Sequence, residues 1–189
     1  GSDSSSVSFD STAMCMYKER IARHQGAKLL RARAYGEKPK GNESLFLELK
    51  THHESWINTK SVKERVTIRE KDMLKFLSHE SWTRNEAENI ILSASPAMTN
   101  KELQKAVDLL LRMRSLVLKH DLRPCVRSTY VRAAFQSQKS NSLRLTVDRN
   151  ITLTDETGAP PGAWCLPDDA VIETEMVIRS PYPVFEVKL

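Results

Sequence analysis

The chain has 189 residues, and 40% of them are hydrophobic, which is enough for one domain with its own core. Its net charge of +5 is a modest excess, without a basic tail, zinc-finger spacing or aromatic platform motif, so nucleic-acid binding is not predicted. No apolar run approaches the length of a membrane span. Three widely separated cysteines, Cys15, Cys125 and Cys165, exclude a disulfide framework or a zinc site and favour a reducing compartment.

The chain begins with residues that carry no clear structural signal. Residues 1–7 are interpreted as a tag or polar leader outside the fold, and the domain is assigned to residues 8–189.

A short strand is predicted at 7–10, followed by a helical turn at 17–23 that Ser11 caps. Two strands at 28–35 and 44–53, joined by a glycine- and proline-rich turn at 36–42, form a predicted hairpin, and another strand is predicted at 62–68.

A helical insertion is predicted at about 69–121, because the apolar period changes there from two to about 3.6. Helices are expected at 69–78, 85–93 and 99–120, the last two opened by capping boxes at Thr83 and Thr99. Bulky side chains in and near this region are interpreted as packing residues: Trp56, Trp82, Met73, Met98 and Met113. Strands return at 126–136, 142–148, 151–154, 173–179 and 184–189, which predicts an α+β fold with an antiparallel β-barrel.

Charged residues alternate with apolar ones along five of these strands. Arg31 and Arg33 share one face of their strand, Lys50 and Glu48 share one face of the next, and the same spacing recurs at 62–68, 143–147 and 185–189. Arginine suits bidentate contacts to phosphate, so an inward-facing, phosphate-lined surface is one interpretation. A plain antiparallel sheet with one face in water is the other, and the pattern leaves both open.

Specific segments resemble the central domain of the vacuolar transporter chaperone (VTC) polyphosphate polymerase. The resemblance rests on RARAYG at 31–36, FLELKTHHESW at 46–56, KSVKER at 60–65, YVRAAF at 130–135, LRLTVD at 143–148 and PYPVFEVKL at 181–189. It covers nearly the whole chain from Ser8 onward. It implies the triphosphate tunnel fold, in which an antiparallel barrel encloses a charged tunnel, and it favours the inward-facing interpretation. The domain is expected to be incomplete at both ends.

The resemblance also implies roles for individual residues. Arg31 and Arg33 are similar to the arginine pair that grips the nucleotide triphosphate. Lys50 and Lys63 are similar to tunnel lysines, and Arg132 and Arg144 to a catalytic pair on the facing wall. Glu186 is similar to the carboxylate that holds the metal. The resemblance gives Tyr130, Lys188 and Glu48 roles in substrate binding.

The function implied by the resemblance is transfer of the ATP γ-phosphate to a growing polyphosphate chain. The expected cofactor is a divalent metal, Mn²⁺ or else Mg²⁺. Expected partners are ATP, inorganic polyphosphate and other VTC subunits, with no nucleic acid and no membrane span in this chain. The expected location of this soluble domain is the cytosolic face of a vacuole or acidocalcisome membrane. A non-catalytic VTC subunit that binds polyphosphate or nucleotide, and a tunnel triphosphatase, are the alternatives.

Two groups of residues carry open interpretations. Glu48 is either a carboxylate at or near the metal or a salt-bridge partner of the tunnel arginines. His52 and His53 are adjacent on a strand and therefore point to opposite faces, so a two-histidine metal site is not predicted.

Overall fold

The computed structural model describes residues 2–35, 44–53, 61–136, 143–160, 162–167 and 174–188. Within these residues, eight strands form one antiparallel sheet. They are β1 Ser2–Asp10, β2 Lys28–Tyr35, β3 Ser44–Thr51, β4 Val62–Arg69, β5 Arg123–Gln136, β6 Arg144–Asp155, β7 Val177–Arg179 and β8 Val184–Lys188. The sheet order is β4-β3-β2-β1-β5-β6, and β7 and β8 pair with different stretches of β6.

The predicted α+β class, antiparallel sheet and helical insertion are confirmed. The sheet is curled and barrel-like, but within the described ranges no pairing joins β4 to β7 or β8. The strands predicted at 142–148 and 151–154 are a single strand, β6, which continues through Asn150 at a φ of 54°. Asparagine tolerates this left-handed conformation. The predicted turn at 36–42 and Trp56 lie outside the described residues.

The largest difference between the sequence interpretation and the structure concerns β1. Residues 2–7, interpreted as a leader outside the fold, belong to a strand in the middle of the sheet, between β2 and β5. Ser4 and Ser6 are buried on one face, and Val7 and Phe9 are buried on the other. The serine-rich composition concealed a strand with one polar and one apolar face, because the apolar positions begin only at Val7.

Four α-helices are present in the described residues: α1 Cys15–Ile21, α2 Met73–Leu77, α3 Arg84–Ala94 and α4 Asn100–His120. The helix predicted at 69–78 begins instead with a 3₁₀ turn at Glu70–Asp72 and continues as α2. Both predicted capping boxes are formed, with Thr83 at the start of α3 and Thr99 at the start of α4. None of these helices combines the length and the apolar character needed to cross a bilayer.

The first helix starts earlier than predicted. The carboxylate of Asp10 accepts hydrogen bonds from the backbone N–H groups of Met16, at 3.0 Å, and Tyr17, at 2.8 Å. Ser11, the predicted cap, accepts a bond from the N–H of Cys15 at 3.2 Å. The last residue of β1 and the residue after it therefore hold α1 against the sheet together.

The core lies on one face of the sheet, beneath α3 and α4. Its fully buried side chains include Leu30, Leu47, Ile68, Val107 and Leu110. Met73 and Met113 belong to this core, and Trp82 and Met98 pack against it, as predicted. Glu64 is the one charged residue on the apolar side of β4, and Arg112 of α4 pairs with it, with Nη2 2.6 Å from Oε1. The charge of Glu64 on the core side of β4 is therefore compensated by α4.

A second charge on the core side holds the segment that follows β6. Arg127 and Glu156 are buried, with Nε 2.5 Å from Oε1. Arg127 also donates to the carbonyl of Leu166, and Glu156 accepts from the N–H of Leu166, each at 2.6 Å. Trp164 packs against the core and donates to Glu70 at 3.2 Å. The ion pair and these hydrogen bonds therefore hold Trp164 and Leu166 against the core side of the sheet.

Candidate anion-binding face

Most predicted site residues lie on the face of the sheet opposite the core, which we call the polar face. Strand alternation and cross-strand register place the following residues there: Ser4, Ser6, Arg31, Arg33, Tyr35, Glu48, Lys50, Lys63, Arg65, Tyr130, Arg132, Arg144, Thr146, Asp148 and Glu186. Arg33 is 6% exposed and Glu48 is fully buried. The charges at the centre of this face are therefore not those of a plain sheet open to water.

Glu48 lies at the centre of a cluster of cations. Arg31, directly opposite on β2, donates to its Oε2 from Nε at 2.8 Å and from Nη2 at 2.6 Å. The ammonium of Lys63 on β4 lies 2.5 Å from its Oε1. Burial alone would raise the pKa of Glu48, but the bonds from Lys63 and Arg31 outweigh it and hold the pKa below its ordinary value. Of the two interpretations of Glu48, the structure supports the salt-bridge partner.

Arg33 has a different environment. Its Nε donates to the hydroxyl of Ser6 at 3.0 Å, its Nη1 to that of Tyr35 at 3.2 Å, and its Nη2 to that of Tyr130 at 3.0 Å. Three neutral hydroxyls accept hydrogen bonds from it without neutralising its charge. In the part of the chain that the structure describes, no carboxylate forms an ion pair with Arg33. The arrangement leaves a buried positive charge that an anion can compensate.

Lys50 adds a second incompletely compensated cation. Burial, together with repulsion by Arg31 and Lys63, lowers the pKa of Lys50 from 10.5 to about 8. Lys50 and Lys63 occupy directly opposite positions on β3 and β4. Three cations therefore surround one carboxylate, Glu48, at this end of the polar face.

The pKa of Lys50 predicts a pH dependence of anion binding. Affinity for tripolyphosphate should fall between pH 7 and 9, because Lys50 loses its proton near pH 8. Without anion, stability should rise between pH 8 and 10.5, since the unfolded chain retains a proton that the folded chain releases. Calorimetric titration of the wild type and Lys50→Arg at pH 7, 8 and 9 tests this. Ionisation of the anion itself is common to both, so equal pH slopes in the two proteins would contradict the prediction.

The facing side of the polar face is built by β5 and β6. Arg132 forms a two-pronged ion pair with Asp148, directly opposite on β6, with bonds of 2.5 and 2.6 Å. The hydrogen bonds that Arg132 donates to Asp148 raise the pKa of Arg132 above its ordinary value, so the guanidinium stays charged. Its guanidinium carbon also lies 5.1 Å from the ring centroid of Tyr130. Asp148 thus fixes the direction in which Arg132 presents its remaining N–H groups.

Arg132 and Arg144 are not adjacent, although both lie on the polar face. Arg144 is exposed and lies opposite Gln136 of β5 and Lys188 of β8. It is four residues from Asp148 along β6, a distance of about 13 Å. The side chain of Lys188 lies outside the described part of the structure.

Glu186 is exposed on β8, with its Oε2 3.5 Å from the hydroxyl of Thr146. The described residues contain no group of three or more His, Cys, Asp or Glu side chains arranged to hold a metal. A single carboxylate still fits Mg²⁺ or Mn²⁺, because such ions take one or two carboxylates together with substrate phosphate oxygens. Metal binding by Glu186 stays a prediction. His52 and His53 form no such group either.

Several residues of the polar face escaped the sequence analysis. Ser4 and Ser6 fall within the segment that the sequence analysis interprets as a leader, and Tyr35 and Asp148 stand in motifs that give them no role. Strand alternation would have placed Tyr35 on the same face as Arg33, because Tyr35 is two residues further along β2. Extending the strand backward from Ser8 would have placed Ser4 and Ser6 on the polar face. Asp148 could not be assigned to Arg132 without the register between β5 and β6.

The fold and this face define a class of protein. An antiparallel sheet, covered by helices on one side and lined by arginine, lysine and hydroxyl groups on the other, is an α+β domain with a cationic, hydroxyl-rich face. The family model described as the VTC domain matches residues 1–189, and the chain belongs to this family. The resemblance found in the motifs is therefore confirmed.

Curated relatives agree with this assignment. The chain is 32% identical over 197 residues to "Vacuolar transporter chaperone complex subunit 4" of Trypanosoma cruzi, and 30% identical over 192 residues to the protein of that name from Schizosaccharomyces pombe. It is 23% identical over 201 residues to subunit 2 of the complex from Saccharomyces cerevisiae. These matches cover 100%, 97% and 96% of this chain but only 24%, 26% and 24% of the relatives. The chain thus spans about a quarter of the length of the relatives it matches.

Proposed function

We propose that this chain is a polyphosphate polymerase domain, which transfers the γ-phosphoryl group of ATP to the end of an inorganic polyphosphate chain. The observation that carries the proposal is the buried guanidinium of Arg33, which is bonded to three hydroxyls and paired with no described carboxylate. Lys50, with a pKa lowered to about 8, lies on the same face. Both groups favour a polyanion, because a phosphate chain supplies the negative charge that they lack.

The proposed reaction suits the chemistry of these residues. An oxygen of the terminal phosphate attacks the γ-phosphorus of ATP, the bond from that phosphorus to the bridging oxygen breaks, and ADP leaves with the electron pair. The attacking oxygen is already ionised, so no strong general base is needed. Arg31, Arg33, Lys63 and Arg132 position the phosphates and neutralise charge on their oxygens. Glu48 and Asp148 hold three of these cations in place.

A divalent metal is part of the proposal. Glu186 would hold Mn²⁺ or Mg²⁺ on the polar face, where it lies directly opposite Thr146 of β6. The metal, when bound, neutralises negative charge on phosphoryl oxygens.

The hydroxyl of Tyr130 accepts a hydrogen bond from Arg33 and so orients the Arg33 guanidinium.

A cavity beside the polar face supports a nucleotide as the phosphoryl donor. It has a volume of about 750 Å³ and lies between α1 and the ends of β1, β2 and β5. Its lining includes Leu29, Val126, Met14 and Tyr17. Leu29 shares the strand face of Arg31, so a nucleoside in the cavity would direct its phosphates along the row of cations.

The names of the relatives support a proposal about the complex and the membrane at which the protein works. They are subunits of a vacuolar transporter chaperone complex. We accordingly propose that this chain works with other VTC subunits, at the cytosolic face of a vacuole or acidocalcisome membrane.

Incubation of the chain with ATP and MnCl₂, with polymer sizing on gels and free phosphate measured in parallel, tests the proposed function. We expect long polyphosphate from the wild type, and at least tenfold less from Glu186→Gln. Glu19→Gln on exposed α1 is the matched control and should keep full activity. Free phosphate without polymer would indicate a tunnel triphosphatase. Tight binding of ATP with neither product would indicate a binding subunit, and either result would contradict the proposal.

A further inference from the structure

The hydroxyl of Ser4 occupies a distinctive position on the polar face. Ser4 lies on β1 directly opposite Tyr35 of β2 and Tyr130 of β5, and it is 4% exposed. Ser6, two residues along on the same face, accepts the bond from Arg33 Nε. The hydroxyl of Ser4 itself, within the described residues, has no hydrogen-bond partner.

A buried hydroxyl without a partner destabilises the protein that contains it, because it gives up its bonds to water and gains none. Nearly all such groups in folded proteins are paired, so the exception calls for a cause. Since the opposite side of β1 is the core, the hydroxyl faces only the polar face. A group that is missing from the unliganded protein can therefore serve as its partner.

The surroundings restrict the chemistry of that partner. The two tyrosines that flank Ser4 are the same two whose hydroxyls bind Arg33, at 3.2 Å for Tyr35 and 3.0 Å for Tyr130. The partner must accept a hydrogen bond from Ser4. It must also lie beside the buried charge of Arg33, which pairs with no carboxylate in the part of the chain that the structure describes. A water molecule meets only the first condition. A phosphoryl oxygen meets both, since it accepts several hydrogen bonds and carries negative charge.

Of the two tyrosines that flank Ser4, Tyr35 is the more exposed. The Tyr35 side chain is half exposed, at 48%, and its hydroxyl bond to Arg33 is the longest of the three that Arg33 makes. The ring packs edge-on against Phe46, with 5.7 Å between the centroids, and about half of it faces solvent, so the phenol can leave Arg33 without displacing the core. An anion that replaces the Tyr35 hydroxyl at Nη1 of Arg33 would arrive next to the hydroxyl of Ser4.

We propose that Ser4 is a phosphate-binding residue, whose hydroxyl donates to a phosphoryl oxygen held by Arg33 after the Tyr35 hydroxyl has moved aside. This inference rests on the proposed function for the identity of the anion and deepens it. It assigns β1, the serine-rich strand, to the floor of the binding site.

Calorimetric titration with tripolyphosphate and thermal unfolding of the same proteins test the assignment. Ser4→Ala should weaken binding about tenfold, the effect of one hydrogen bond to a charged group. Its unfolding temperature without anion should equal or exceed that of the wild type, because the orphaned hydroxyl is gone. Ser5→Ala is the matched control, since Ser5 points to the opposite face of β1, and its affinity should be unchanged.

The outcomes separate this inference from the proposed function. Unchanged affinity of Ser4→Ala, in a protein whose wild type still makes polymer, would overturn the role of Ser4 alone. The same holds if Ser4→Ala lowers the unfolding temperature without anion and leaves affinity intact, because Ser4 would then be structural. Tenfold weaker binding by Ser4→Ala in a chain that makes no polymer would support Ser4 and contradict the polymerase. A wild type that fails to bind tripolyphosphate would overturn both.

Discussion

Replacement of Glu48 by glutamine is expected to lower the free energy of unfolding by about 3 kcal/mol, because it leaves a buried cluster of cations without its counter-charge. Glu48 is fully buried and bonds to Arg31 at 2.6 and 2.8 Å, and Lys63 lies 2.5 Å away. The same change should strengthen tripolyphosphate binding, since it removes a negative charge from the polar face. Stability without anion and stabilisation by anion should therefore change in opposite directions.

Urea unfolding with and without saturating tripolyphosphate measures both effects. Glu64→Gln is a matched control, because Glu64 pairs with Arg112 at 2.6 Å on the opposite face of the sheet and is partly exposed. It should cost less than about 1 kcal/mol and leave the anion effect unchanged. If Glu48→Gln behaves like Glu64→Gln, the cation cluster has no special dependence on its carboxylate.

Replacement of Arg33 by methionine is expected to weaken tripolyphosphate binding about hundredfold. Arg33 is the buried cation whose described partners are neutral hydroxyls, so an anion gains more from it than from a guanidinium that a carboxylate already pairs. Methionine keeps much of the side-chain volume and removes the charge. Calorimetric titration at fixed ionic strength measures the effect, because salt screens the remaining surface charges.

Arg112→Met provides the comparison for Arg33→Met. It removes the same charge from α4, where Arg112 contacts Glu64 across the core side of the sheet. Its affinity for tripolyphosphate should stay within twofold of the wild type. Equal weakening by the two substitutions would show that net charge, and not the position of Arg33, governs binding.

The sequence contained most of the fold in its periodicities. The alternation from Leu29 to Tyr35 correctly divided the arginines from Leu30, Ala32 and Ala34, which are all buried in the core. The capping boxes at Thr83 and Thr99 located two helix starts to within a residue. These features are local, so neighbouring residues alone determine them.

The features that the sequence did not predict depend on contacts between distant segments of the chain. Nothing local to Arg132 indicates that Asp148 pairs with it, because the irregularity between Thr129 and Val131 sets the register of β5 on β6. The burial of Ser4 likewise follows from β1 lying between two other strands. The compensation of charges by Glu48, Asp148 and neutral hydroxyls became visible only in three dimensions. That compensation distinguishes Arg33 from the other arginines.

A crystal structure of the chain with tripolyphosphate tests the central claim most directly, namely that the polar face is the binding site for a phosphate polyanion. We predict phosphoryl oxygens within hydrogen-bond distance of the Arg33 guanidinium and the Lys50 ammonium, with the anion extending toward Arg132. An anion bound elsewhere, or a polar face that stays empty at saturating tripolyphosphate, would contradict this account.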